Sequence, residues 1–360
     1  MSNSTINNRI TNKSTKERVE KQMTSSTENE LDNASNSSKN IRKAITSLAN
    51  GPIIGLIAMC VILTFTSPYF LTTRNINNIL VQSSDIGILA AGQALVILIG
   101  GIDLSVAAIM TVTMMFSAWL YQMQHLPFTL ALIAGLLLGA AIGLVNGLLI
   151  AYGKVQAFVA TLATMSACLG MALVITNGNT INTFPEWFAK LTADAAPLVP
   201  VQSILLVFVF VALGFWLRFR PAGRALYAIG GNEEVARLSG LPVKPLKTFV
   251  YVISGALASL AGWINISLLD SAQPTAGSSY LLTVIAVVVI GGASLAGGVG
   301  SMGQTFIGLL IIGVLNAGLA LLHVNPNLQQ VVIGAVILGA VLTDRNQFGI
   351  KFKIGRKKNK

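Results

Sequence analysis

From Gly51 onward the chain is a succession of apolar runs, and that pattern constrains its fold more than any other feature. Each run approaches the ~20 residues that a helix rising about 1.5 Å per residue needs to cross a bilayer. Ten can be drawn: 52–71, 77–100, 103–122, 127–152, 156–177, 201–219, 245–269, 279–295, 302–323 and 326–344. Lipid cannot hydrogen-bond exposed backbone, so long apolar runs of this kind predict an all-α polytopic membrane protein with about ten transmembrane helices. Glycine pairs interrupt the second, third and eighth runs, whose ends are the least sharply marked. Charge is scarce to match: 10% of residues are charged, against about a quarter in a soluble domain.

The charges that exist are sorted. Of 24 basic residues, 8 fall in 1–50, 6 in 218–247 and 7 in 344–360, leaving Arg74, Lys154 and Lys190. Basic residues gathered into loops and tails of an apolar chain form the positive-inside pattern. It predicts an even number of spans, with both termini, Lys154 and the 218–247 loop in the cytoplasm. The polar 178–200 loop, with Glu186, Lys190 and Asp194, falls outside. The acidic partner of the +11 net charge is then the lipid headgroup surface, and nucleic acid is not expected. Residues 1–50, rich in Ser, Thr, Asn, Lys and Glu, read as a disordered cytosolic tail. No apolar stretch precedes residue 51, so no cleavable signal peptide is expected. Residues 51–345 form the transmembrane domain, and 346–360 form a basic cytosolic tail.

Several residues stand out within the runs. Gly135, Gly139, Gly143 and Gly147 recur every four positions, a stripe that lets helix backbones approach closely. Cys60 and Cys168 lie inside apolar runs without a CxxC or histidine cluster, so neither metal nor disulfide is expected. Asp85 and Asp103 are the carboxylates within or against the runs of the first half, and intramembrane carboxylates are costly enough to signal function. Asp103 follows Gly100-Gly101 and precedes Leu104-Ser105, where a helix would break and restart. A carboxylate there caps the new helix or meets substrate. Asp85, at the start of a span, reads as reaching an aqueous edge. Titratable pairs of the kind an ion-coupled carrier uses are scarce, which leaves that class as the alternative reading. A neutral, hydroxyl-rich solute fits better, with Asp103, Ser105, Gln93, Asn146 and Asn316 as candidates for the pathway or a helix break. Asn265 and Gln304 lie at similar depth.

Gly298 to Gly303 matches G-x-G-x-x-G, but it lacks the preceding soluble strand and following acid of a dinucleotide site. A glycine turn between two spans is the better reading. No P-loop occurs, since Gly153-Lys154 is followed by Val155. If ATP drives transport, another subunit holds it. In the 220–247 loop Asn232 can cap a short helix, with Glu233 and Glu234 in its first turn and Gly240 and Pro242 ending it. Such a helix is a solvated connector or a docking element.

Five separated blocks then carry a resemblance: GGIDLSV at 100–106, GKVQAFVATL at 153–162, YAIGGNEEVARLSGLPV at 227–243, SAQPTAGSSY at 271–280 and IGGASLAGGVGS at 290–301. Their order and spacing resemble permease subunits of bacterial ABC sugar importers, most of all the ribose-importing branch. The resemblance implies the ABC importer permease fold of ten spans in the inner membrane, a permease homodimer, a cytosolic ABC ATPase subunit and a periplasmic sugar-binding protein. It implies that Gly231, Asn232, Glu233, Ala236, Arg237, Ser239 and Gly240 form the element coupling to the ATPase. It also implies no cofactor on this chain, ATP and Mg belonging to the ATPase. Ala107 replaces the glycine that usually ends the first block, and Leu281-Leu282 stand where acidic residues are common. These departures bear on which sugar is carried.

Overall fold

The computed structural model describes residues 51–188 and 200–344. Contacts divide the chain into Met1–Gly51 and Pro52–Lys360, the second holding the bundle. The predicted tails, and Lys190 and Asp194 of the polar loop, lie outside the described residues.

Helices α1 (Gly51–Thr66), α2 (Thr73–Gln82), α3 (Ser84–Leu98), α4 (Val106–Gln122), α5 (Phe128–Ala151) and α6 (Ala157–Thr176) form the first half. Then come α7 (Val201–Phe219), α8 (Pro221–Gly231), α9 (Glu233–Leu238), α10 (Val243–Leu269), α11 (Tyr280–Ile290), α12 (Met302–Leu321) and α13 (Pro326–Asp344). Every predicted apolar run contains helix. Five helices, α5, α6, α7, α10 and α12, are each long and apolar enough to cross a membrane, and the bent pair α2–α3 makes a sixth. The all-α polytopic architecture therefore stands, while helix length alone does not establish ten crossings.

Two runs depart from continuous helix. The second is α2 and α3 meeting at 45°. Beside the break, the Ser84 hydroxyl donates to the Leu80 carbonyl at 2.6 Å, a back-bond to i−4 of the kind that bends helices. The eighth is only 11 residues of α-helix, about 16 Å. It is reached by an inward dip of the chain. Strand β2 (Ser271–Ala272) pairs antiparallel with β1 (Ile181–Asn182), which Gln122 at the end of α4 holds through bonds to Asn182 and Thr183 carbonyls. A 3₁₀ turn, Ala276–Ser279, instead packs near the start of α4, where the Gly277 N–H donates to Thr111 Oγ1 at 2.9 Å. Thr111 lies roughly 16 Å from Gln122 along α4, so the chain runs inward between β2 and the 3₁₀ turn, through a tight turn in which the Ala276 N–H donates to the Gln273 carbonyl at 3.2 Å.

The core is built on α10 and α3. Helix α10 packs on α5, α3 and α4. The α5 glycine stripe is the seam: a Cβ on Gly143 would strike the Tyr251 carbonyl, one on Gly139 the Gly255 carbonyl, and one on Gly147 the Thr248 backbone. At its two ends, Ser259 and Thr248 donate to the Gly135 and Gly147 carbonyls at 3.0 and 3.3 Å. Small residues and cross-helix hydrogen bonds supply the attraction that apolar burial cannot supply in lipid. The opposite α5 face shows Leu137 and Val145 outward, as lipid contact requires. Every residue of α3 except Ile86 is buried.

Candidate functional site

Three polar arrangements interrupt the apolar bundle. The first lies in the 218–247 loop. Asn232 is extended, and its side-chain oxygen accepts the Val235 N–H at 3.0 Å, satisfying one of the free donors at the start of α9. Glu233 and Glu234 occupy the first turn and Arg237 the last, each favourable to the helix dipole. Arg237 pairs with Glu234 at 2.6 Å, and Lys247 pairs with Glu233. Hydrogen bonding from Arg237, then its charge, holds the Glu234 carboxyl below the usual carboxylate range. Gly240, at φ +80, ends the helix as its N–H reaches the Arg237 carbonyl. Ala236 is buried, while Val235 and Leu238 are 56% and 74% exposed. These two apolar side chains, three residues apart on an otherwise polar segment, were not singled out from sequence. The preceding helix α8 was also read only as loop.

Helix α9 hangs from a junction of glycines. A Cβ on Gly230 would strike the Leu98 carbonyl, and one on Gly297 would lie 2.8 Å from Gly100 Cα. Gly298, at φ +73, would meet the Gly231 nitrogen, and its own N–H donates to Leu98 at 2.9 Å. The end of α3, the stem of α9 and the loop before α12 thus touch backbone to backbone. The G-x-G-x-x-G stretch is part of this junction, and Ser301 within it caps α12 by accepting the Gln304 N–H. Beside α9 a cavity of about 1170 Å³ is lined by Lys154, Arg237, Lys244, Gly101 and Tyr251.

The second arrangement sits at the break before α4. Asp103 accepts the Ser105 N–H and hydroxyl at 2.8 and 2.6 Å and the Ser254 hydroxyl at 3.2 Å. Asn146 donates to Ser105 Oγ at 2.9 Å, and Thr164 donates to the Asn146 carbonyl oxygen at 2.6 Å. Three predicted residues, Asp103, Ser105 and Asn146, are therefore brought together from one helix, α5, and the break before α4. All three are enclosed. Gln93 is separate: its side chain is fully buried on α3, and neither amide atom has a protein partner.

The third arrangement was not assembled from sequence. Asp85, expected at an aqueous edge, is fully buried. Its Oδ2 accepts from Tyr280 at 2.8 Å and from Asn265 at 3.0 Å, and its Oδ1 accepts the Ile86 N–H at 2.7 Å. The partners lie 195 and 180 positions downstream, beyond any local pattern. Asn316 lies apart from this triad, lining a cavity of about 60 Å³ with Ser83 and Gln82. Among the described residues no three His, Cys, Asp or Glu side chains stand close enough to hold a metal ion.

Residues 75–341 match the model of the branched-chain amino acid transport system / permease component family. The chain belongs to this family. The chain is 45% identical over 303 residues to a ribose import permease of Escherichia coli K12, covering 82% of this chain and 93% of that protein. It is 46% identical over 299 residues to the Bacillus subtilis ribose import permease, covering 82% and 92%. It is 40% identical over 277 residues to an Escherichia coli D-allose transport system permease, covering 77% and 85%. No solved structure matches this chain. The protein is a multi-pass membrane permease, a transport subunit and not an enzyme.

Proposed function

We propose that this chain is the membrane passage of an ATP-driven importer for a monosaccharide, with D-ribose the first substrate to test. The observation that carries the reading is α9: a capped helix presenting Val235 and Leu238 from a basic loop, on a sequence without a P-loop. Gly231, Asn232, Glu233, Ala236, Arg237, Ser239 and Gly240 form its docking element, inserted into a groove on a cytosolic ATPase subunit that holds ATP and Mg. A binding protein delivers sugar at the opposite face. Two copies of the permease pair in the membrane, and ATP binding and hydrolysis move α9 and alternate access to the passage.

In this reading the chain crosses ten times, with both termini cytoplasmic. The five long helices, the α2–α3 pair, α1, α4, α13 and the dip continued by α11 are the crossings. The distribution of basic residues supports the orientation. Relatives named for ribose and allose support a sugar, although the matching family is described by amino acid transport. The cavity beside α2 also favours a neutral solute, since Thr66, Asn75, Asn78 and Gln82 line it without carboxylate, lysine or arginine among the described residues.

The test is reconstitution in proteoliposomes with the candidate ATPase and binding protein. D-Ribose should stimulate ATP hydrolysis and enter, and the permease alone should hydrolyse nothing. Uptake that survives ATP depletion but collapses with an uncoupler would instead support an ion-coupled carrier.

A further inference from the structure

Two helices begin at the Asp85 triad, one after a bend and one after a 3₁₀ turn. Helix α3 starts at Ser84, one residue past the 45° break, and Asp85 stands in its first turn. Helix α11 starts at Tyr280, directly after the 3₁₀ turn Ala276–Ser279. Asn265 of α10 bridges them, donating to both Asp85 and the Tyr280 hydroxyl at 3.0 Å. A carboxylate in the first turn of a helix is explained by the dipole alone, so Asp85 by itself marks no site. Asn265 adds an independent sign: its residue is 1% exposed, and its side-chain oxygen accepts no hydrogen bond. A buried amide oxygen left without a donor is costly and calls for a partner. Discontinuous helices that meet inside a transporter bundle are where solute sites are built.

Cavities lead toward the same place. The far end of α3 lies in the glycine junction beside α9, so Ser84 faces the opposite side of the bundle. There a cavity of about 510 Å³ falls within the roughly 300–1,000 Å³ of small-molecule sites. Asn75, Asn78 and Gln82 line it, spaced i, i+3 and i+7 on one face of α2. Gln82, Ile79 and Ala317 also line the smaller cavity of about 60 Å³, which reaches Ser83 and Ile86. Those two residues flank Ser84 and Asp85. Neutral amides thus line two adjoining cavities that end at Ser83 and Ile86, beside the segment that carries Asp85; the triad itself is closed off from both.

We propose that Asp85, Asn265 and Tyr280 are the outer gate of the passage and its first contact with sugar hydroxyls. This inference rests on the sugar-permease reading. A neutral polyhydroxylated solute arriving past Asn78 and Gln82 donates one hydroxyl to Asp85 in place of Tyr280 and another to the free Asn265 oxygen. The displaced Tyr280 releases the start of α11 from α3, and the gate opens. No bond is made or broken beyond these hydrogen bonds.

The test uses the complete complex in proteoliposomes, with saturating binding protein loaded with D-ribose or 2-deoxy-D-ribose. Tyr280→Phe keeps the ring and removes the hydroxyl. Asp85→Asn keeps the shape and removes the charge. Both should lower D-ribose uptake by about tenfold, the scale of one hydrogen bond to a charged group. Both should also change the ratio of D-ribose to 2-deoxy-D-ribose uptake, with complex assembly intact. Wild-type uptake in both variants would overturn the gate. So would losses that track a lower melting temperature while the sugar ratio stays fixed, since a packing role leaves that ratio unmoved. If the wild-type complex itself carries no sugar, the broader reading fails instead.

Discussion

The Asn146 amide nitrogen lies 2.9 Å from Ser105 Oγ, which ties the C-terminal part of α5 to the break before α4. Its carbonyl oxygen takes the Thr164 hydroxyl, so this one side chain serves α6 as well. Asn146→Leu keeps the volume but leaves the buried Ser105 oxygen and the half-buried Thr164 hydroxyl each short of a partner. The expected loss is about 1–3 kcal/mol, read by thermal unfolding of the solubilised chain. Ser166→Ala, which removes an exposed bond to the chain's own helix, should change little.

The seam between α5 and α10 makes a sharper demand. Gly143→Ala drives a methyl into the Tyr251 carbonyl, and no rotamer relieves a backbone clash. Forced overpacking of this kind costs about 1–3 kcal/mol or more. Gly170→Ala meets nothing within 4 Å and should stabilise slightly, as helix propensity predicts. If both substitutions lowered the melting temperature equally, the seam would not be governed by close approach.

These two cases show which features were legible in the sequence. The α5 stripe could be read because helix periodicity is local: four glycines four apart must share a face. The Asn232 cap could be read for the same reason, since donor and acceptor are three residues apart. The Ser83 break was missed because the 77–100 run extends across the polar Gln82-Ser83-Ser84-Asp85 without a proline there to mark a bend, and the Ser84 back-bond beside it has no sequence signature. The dip at 273–275 was missed because SAQPT has the composition of an ordinary outer loop. Asp85 was misread for a different reason. Nothing near it in sequence supplies its partners, which arrive on α10 and α11.

Asn232→Ala should fray α9, since a lost N-cap costs about 0.5–2 kcal/mol. Amide exchange at Val235 and Ala236 would quicken, and sugar-stimulated ATP hydrolysis would fall with it. The Glu234–Arg237 pair is fully exposed, so Glu234→Gln should leave melting unchanged at neutral pH. Because Arg237 lowers the Glu234 pKa, any contribution of the pair is complete above the ordinary carboxylate pKa of about 4.3. It disappears only as pH falls through the lowered value. A change in coupling between pH 6 and 8 must therefore arise elsewhere.

Gly298→Ala tests the junction that carries α9. The residue sits at φ +73, and its new methyl would press on the Gly231 nitrogen, so both conformation and space oppose it. Uptake should fall by about tenfold or more while basal ATP hydrolysis in the assembled complex persists, which separates uncoupling from failure to assemble. Gly303→Ala, in the same glycine-rich stretch but with open space around it, is the matched control.

The separation of Asp85 from Asn265 and Tyr280 has a consequence for how the protein is made. At roughly 5–20 residues per second, a ribosome needs on the order of 10–40 seconds to reach Asn265 and Tyr280 after Asp85 is joined. Throughout that interval α3 holds a carboxylate whose tertiary partners do not yet exist. Insertion of the second span must therefore tolerate an orphan charge until α10 and α11 arrive. The residue that closes the finished bundle is, during synthesis, the one most dependent on an unfinished neighbour.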